Sequence, residues 1–565
     1  MLKTYSQSGG KSMKSKLLTC LLAGTLAVSM LAGCGGSSSD EGKTQTTAAA
    51  GQTEAAGSQA TEQTEAAAIS GGTLKVGSGQ TCSNMDPTYG YNGWYLIRFG
   101  ICQTLTRMTD DFGIDGWMTE SYEPSEDNHS WTFTLKDGMV FSNGNPVDGN
   151  AVKACLEFIF ANSNRAPEES YFKYDSIEAD GLKVTINCSK AEPILPNKLA
   201  DPLFSIFDTS DPGIDKREST GVIGSGPYVL ESFDHTTFTT IVKRNENYWG
   251  QKAALDEVVF EYTEDQFTLT QAMNSGQYDT VYNISMTDVE SFENNPDYIV
   301  SKAASGRTAH GFMNQSEGRV LADPVLRQAI MMCIDKDTVC RTQLNGQYEA
   351  GKTPVTSAAP AYGFDSLEEP YPYNPEAAVK LLDDAGYKDV DGDGFREDPN
   401  GKPLDITFVY YTGRPEQQIF VEAAQMLAKQ NIGIKITPDV HDSDTCMNML
   451  DNGDYDMLMM SINVLNMADP ENHFNEYFKA GGTHNAYGWD NAEFNNIMNQ
   501  LSETEGMEER AKLVTDASKI LMDDAVCIFF CYPVINFTMK NNVTGINQTP
   551  ADYYWISEET AFTGK

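Results

Sequence analysis

Basic residues are scarce in this chain: 40 Lys and Arg stand against 80 Asp and Glu, a formal net charge of −40 over 565 residues. No basic run follows the N-terminal segment. So acidic a surface repels phosphate backbones and anionic lipid heads, which excludes nucleic acid and lipid headgroups as main partners. Histidine is scarcer still, with six residues at 129, 235, 310, 441, 473 and 484. No GxSxG, HExxH or Walker pattern occurs, nor a Cys/His pair in recognisable context, so no enzyme class finds its motif here. Long apolar runs are missing beyond the N-terminus; the longest, from Ala525 to Phe537, is short and interrupted by Pro533. The 11 cysteines show no CxxC spacing, and nine of them fall in the body. That odd number, spread over a large protein, argues against a disulfide scaffold and for buried thiols acting as small hydrophobes.

What the sequence does have begins at its start. Lys11, Lys14 and Lys16 precede an apolar stretch from Leu17 to Met30, the pattern of a secretory signal too short to span a bilayer comfortably. It ends in Leu31-Ala32-Gly33-Cys34, which resembles a bacterial lipobox, so Cys34 is expected to carry lipid and become the mature N-terminus. Everything beyond it then lies on the outer face of the cytoplasmic membrane. From Gly35 to Ser70 the chain is almost entirely Gly, Ser, Ala, Thr, Gln and Glu, too polar to fold, and reads as a flexible tether.

The body is too long for one core, so at least two lobes are expected. Strands are expected at Gly71–Val76, Trp131–Leu135, Val258–Tyr262, Ile406–Val409 and Ile434–Thr437. Helices are expected after Asp148, Asp323-Pro324 and Asn374-Pro375, each opened by a capping residue, the last stopped by Gly386. Apolar stripes through Phe420–Leu427 and Phe494–Leu501 mark two more. Helices alternating with short strands argue for α/β lobes.

Five blocks in order resemble the extracytoplasmic solute-binding proteins of peptide and nickel ABC importers, family 5: Trp131–Gly144, Gly224-Ser-Gly-Pro-Tyr228, Lys243–Trp249, Leu326–Lys336, and Tyr373–Glu376 leading to Leu381–Gly386. The resemblance covers about residues 71 to 550. It implies an α/β, two-lobed periplasmic-binding-protein-like fold of the class II or cluster C type, closing on a ligand. Lobe one would comprise 71–305, with a small inserted subdomain at about 110–215, and the return 532–565; lobe two would be 306–531. The crossings would lie near Ser305–Gly311 and Phe530–Pro533. The signal peptide would be 1–33 and the tether 34–70. It further implies a monomer without cofactor or catalysis, delivering a peptide or metal chelate to two permease subunits driven by ATPases. A lipoprotein sensor or adhesin without a permease is the alternative reading, and an extracellular hydrolase a weaker one.

The resemblance also points to site residues. In peptide-binding relatives an Asp three residues before an acidic-Pro pair holds the ligand's amino terminus; here the pair is Asp469-Pro470 and the matching residue is Asn466, which offers no charge. Nickel-binding relatives use one His, and His484 in Gly481–Asn485 stands where it would sit as a metal ligand. They also place an Arg where Leu199–Phe207 here has none. Tyr91, Trp94 and Tyr95, on a loop at Asn92-Gly93, with Tyr410, Tyr411 and Trp489, are candidate aromatic walls. Arg98, Arg107, Arg307 and Arg414 are candidates to meet a carboxylate, with Arg414 favoured. Asp389–Asp398 resembles the start of an EF-hand loop, but position twelve is Asn400 where Glu is required, so a turn is expected.

Overall fold

Twelve strands form one mixed sheet in this computed structural model, which describes residues 68–163, 165–166 and 171–564, the side chains of 286 and 287 apart. The signal segment, Cys34 and the tether up to residue 67 lie outside the described residues. Along the main path the sheet order is Ile436–His441, Ile406–Tyr411, Met457–Asn463, Arg307–Met313, Cys527–Lys540, Thr280–Tyr282, Thr73–Ser78, Glu257–Tyr262, Thr239–Arg244, Tyr228–Asp234. The long strand Cys527–Lys540 is shared. Its first residues pair antiparallel with Arg307–Met313, its last with Tyr298–Ala304 and Thr280–Tyr282. The changeover falls at Pro533, which lacks an N–H for the ladder and is tolerated where the pairing partner switches. There Ser305 donates both its backbone N–H (3.1 Å) and its hydroxyl (2.7 Å) to the Pro533 carbonyl, tying the two crossing strands side by side.

A separate four-stranded antiparallel sheet is built from Thr119–Pro124, Ser130–Leu135, Lys183–Cys188 and Tyr174–Asp180. Its centre is Ser130–Leu135, whose strict alternation buries Trp131, Phe133 and Leu135 on one face. The helix Gly149–Asn162 covers it with Val152, Cys155, Leu156 and Ile159, and the Asp148 carboxylate caps the helix by accepting from Ala151 N–H. The expected caps at Asp323 and Asn374 accept from the Val325 and Ala377 amides, and Gly386 ends its helix at φ 90°. The strand expected from Ile434 starts two residues later, at Ile436, because Gly433 in the left-handed region closes the helix Pro415–Ile432 and the chain must turn back. Ala68–Ile69, which composition assigns to the tether, instead pairs antiparallel with Ala561–Thr563. Backbone pairing needs no apolar side chains, so composition alone misses it.

All nine body cysteines are free and buried. Burial pushes thiols such as Cys82 and Cys340 up to about 12, which keeps them protonated and inert. In the loop from Asp389, both oxygens of that residue accept backbone amides, from Gly392 and Gly394, while Glu397 accepts from Val390. The carboxylates hold the turn. No helix among the described residues is long and apolar enough to cross a membrane.

Candidate functional site

Three neighbouring parallel strands, Thr73–Ser78, Glu257–Tyr262 and Thr280–Tyr282, end together, and their carboxyl ends supply Gly79, Gln80, Tyr262 and Tyr282 to one wall of a cavity of about 580 Å³. The opposite wall comes from the carboxyl end of Ile406–Tyr411 and the turn beyond it: Tyr410, Tyr411, Thr412, Gly413 and Arg414, with Tyr348. Open α/β sheets bind ligands at strand carboxyl ends, where side chains and loop amides converge on a crevice. The volume suits a small organic solute.

Arg414 is the N-cap residue of Pro415–Ile432, preceded by Gly413 at φ 90°, so the positive end of an 18-residue helix reinforces its charge. Burial acts to lower its pKa, but Tyr411 and Glu416 more than offset this and the guanidinium stays charged. Glu416 is fully buried and already committed, accepting from the Tyr348 hydroxyl (3.0 Å) and the Ser461 hydroxyl (2.6 Å). On the other wall the Tyr282 hydroxyl donates to Asp552 (2.7 Å), whose carboxylate also pairs with Arg98 (2.9 Å) beneath it. Tyr282 lies stacked on Trp555, ring centres 4.4 Å apart, which fixes its ring.

Of the residues expected at the site, Tyr410, Tyr411 and Arg414 line this cavity together. Trp94 lies apart, lining a cleft of about 10 Å³ with Ser305, Gly306, Arg307, Asn463 and Asp552, and its buried indole N–H has no partner among the described residues. The Asn466 carbonyl accepts from the Tyr553 hydroxyl (3.1 Å), and Asn466 is not among the residues lining this cavity. The segment expected as a loop is the helix Asn92–Arg98: the Asn92 side chain bonds Ser83 and Asn84, and Gly93 admits the Pro202 carbonyl where a Cβ would stand 2.4 Å from it. Tyr91 therefore caps a helix, 57 % exposed under the Arg165 guanidinium, and Tyr95 packs against Arg98 rather than facing the cavity. His484 bonds Asp451 through Nδ1 (2.6 Å) and lies tilted against the Tyr477 ring, and it does not line the cavity. Trp489 is a core residue instead, wedged on Phe494 with its indole N–H donated to Asp524 (3.0 Å). Arg98 meets Asp552 of its own chain and is not available to a ligand. Sequence reading missed Tyr262, Tyr282, Tyr348 and Glu416. Tyr262 and Tyr282 are the last residues of their strands, a signal usable only once the parallel order is known.

The sequence matches the bacterial extracellular solute-binding proteins, family 5 (middle region), over residues 113–485. The chain belongs to this family. It is 25 % identical over 471 residues to the nickel-binding protein NikA of Staphylococcus aureus, covering 82 % of this chain and 89 % of the relative. It is 23 % identical over 447 residues to a probable D,D-dipeptide-binding periplasmic protein of Escherichia coli, covering 77 % and 82 %. Its fold matches NikA from Brucella suis, solved with Fe(III)-EDTA, at TM-score 0.78 and 23 % identity over 87 % of this chain and all of that one. A nickel ABC transporter structure from Bacillus halodurans matches at TM-score 0.72 and 26 % identity, covering 86 % and 99 %. This is the two-lobed α/β fold of the periplasmic binding proteins. As a family 5 protein of the peptide and nickel ABC importers, the chain is a binding protein and not an enzyme.

Proposed function

We propose that this family 5 protein captures a small carboxylate-bearing solute, of the oligopeptide or nickel-chelate class, in the cavity between its halves and hands it to a permease of two membrane subunits driven by ATPases. The observation that carries this is Arg414: a half-buried, charged guanidinium facing a cavity walled from both sides, with no carboxylate in ion-pair distance among the described residues. A ligand carboxylate is the group that such a donor pairs with best. Lobe one is 71–305 with 532–565, lobe two is 306–531, and the Ser305–Pro533 contact marks the hinge about which they close. A monomer lipidated at Cys34 keeps the binding body at the outer face of the membrane, where solute arrives.

Isothermal titration and thermal shift on the purified protein test this, with di- to hexapeptides and with Ni²⁺ in the presence and absence of free histidine. A ligand that binds only the folded state raises Tm by mass action. The reading expects a Tm rise with one of these sets that is lost in Arg414→Gln. Stabilisation by Ni²⁺ with histidine that survives Arg414→Gln but is lost in His484→Ala moves the site to His484. No stabilisation by any member of either set overturns the ligand class.

A further inference from the structure

Beside the crossing strands each lobe sends a side chain into the other. Met467 lies in the loop after Met457–Asn463, on lobe two. It is nevertheless 1 % exposed within the core of lobe one, every other buried member of which comes from 71–305 or 532–565. There it shares a cleft of about 30 Å³ with Lys190, Ile194 and Lys198 of lobe one. Phe112 makes the reverse crossing. It tops the hairpin of Thr106–Met108 and Ile114–Gly116 on lobe one, and is 1 % exposed in the core that Leu465, Phe474 and Phe494 build on lobe two. A Cβ on Gly306 would stand 3.1 Å from the Phe112 ring and 3.2 Å from Leu465, so both lobes press on the crossing where it has no side chain. Two bonds between the lobes accompany the exchange: the Tyr553 hydroxyl donates to the Asn466 carbonyl (3.1 Å), and the Asn128 side-chain amide donates to Glu505.

Both turns that deliver these side chains are strained. Phe112 holds φ 60°, and Ala468, next to Met467, holds φ 55°, in the left-handed region that penalises any residue with a Cβ. Such a backbone persists only where the surrounding packing over-determines it. Resting on the division into two lobes that close on a ligand, we infer that Phe112 and Met467 form a reciprocal clasp that holds the lobes together, and that opening withdraws both side chains and relaxes both turns. Apolar burial favours the closed arrangement and backbone strain opposes it, which leaves a small balance that a solute's binding can tip. Neither Phe112 nor Met467 lines the large cavity, so the clasp sets how often the lobes stand open without touching the ligand.

Spin labels on Thr236→Cys and Asp393→Cys, exposed positions on lobe one and lobe two, read the lobe separation as a distance distribution; the nine body thiols are buried and stay unlabelled. The labelled protein is measured without added solute as such and with Met467→Ala, Met467→Leu, Phe112→Ala or Met498→Ala. Met498 is as deeply buried as Met467 but sits on Ala492–Leu501, within lobe two. The expected result is a shift of the closed-to-open ratio toward longer distances by about tenfold in Met467→Ala and in Phe112→Ala, the scale of one large apolar side chain leaving its pocket. Met467→Leu should keep the parent distribution, and Met498→Ala should lower Tm without moving it. Two populations whose ratio neither Ala variant changes overturn the clasp and leave the hinge standing. A shift in one Ala variant alone overturns the reciprocity. Equal lengthening in Met498→Ala overturns the clasp as well, since general loosening then suffices. One fixed distance in every protein overturns the hinge reading and the clasp with it.

Discussion

Acid should unfold this protein through two histidines that its core holds uncharged. His310 Nδ1 lies 2.9 Å from the Thr308 carbonyl, which makes Nδ1 the donor and leaves Nε2 to accept. It accepts from His473 Nε2–H at 3.2 Å, so His473 Nδ1 is the acceptor, buried with no partner among the described residues. Both rings are buried among Phe312, Phe478, Phe529 and Tyr477. Burial pushes His310 down to about 3 from 6.5. Burial, helped by His310 and His484, pushes His473 well below its ordinary value; His484 itself faces Asp451. The folded pKa values are depressed, so the unfolded chain takes protons that the folded one refuses, and stability is lost as pH falls below about 6.5. One pH unit is worth about 1.4 kcal/mol per group, so from pH 7 to pH 5 each histidine costs about 2 kcal/mol and the pair about 4. Carboxylates with depressed values, such as Asp405 and Asp442, lose their contribution below their unfolded pKa, outside this window. Urea unfolding at half-unit steps from pH 7 to 5 measures the slope, with His310→Phe/His473→Leu as the non-titrating reference. A wild-type profile flat to about 0.5 kcal/mol, or one parallel to the reference, refutes neutral buried histidines.

Arg510, 2 % exposed, binds Asp469 through two bonds of 2.8 Å and Glu471 at 2.7 Å. Arg510→Met strands two buried carboxylates and should cost about 3–5 kcal/mol by urea denaturation; a loss under 1 kcal/mol would show the acids to be hydrated. Trp489→Ala should lower stability by about 3–5 kcal/mol as a core cavity, with ligand affinity unchanged in titration; lost affinity at full stability would return Trp489 to the ligand wall. Gly226→Ala should cost at least about 3 kcal/mol, since its Cβ would stand 2.2 Å from the Gly100 carbonyl oxygen; soluble expression with unchanged Tm would disprove that clash.

The elements that sequence made legible are those whose signals are local. The caps at Asp148, Asp323 and Asn374 work because a side-chain acceptor and an orphan amide lie within a few residues of each other. The Gly224–Tyr228 block was legible as structural, but for a different reason from the turn that its glycines suggest. Neither Gly224 nor Gly226 sits at positive φ; both are required because the backbone at Ile101 and Gly100 passes within 2.0 and 2.2 Å of where a Cβ would be. That neighbour is over a hundred residues away and leaves no trace in the turn itself. The Asn92-Gly93 pair misled in the opposite direction, since its turn chemistry is spent on tertiary bonds to Ser83 and Asn84.

The site divides along the same line. Tyr410, Tyr411 and Arg414 were legible because one strand and its helix cap carry all three, so a local reading places them side by side. The facing wall was not, because Tyr262 and Tyr282 reach it through a parallel sheet order that only the folded chain displays, one of them from a strand of three residues. The charge balance of the cleft is illegible for a stronger reason. Composition says −40, yet what a ligand meets depends on which acids are already consumed, and Asp552 and Glu416 are consumed by partners scattered from Arg98 to Ser461. A strongly acidic chain can therefore still turn a cation toward a cavity, as it does with Arg414. On the proposed reading, the outer field lowers the approach rate of a carboxylate at low salt, while Arg414 holds it once inside. Added salt should accordingly speed the binding of an anionic ligand, the reverse of what the acidic surface would do to a cationic one.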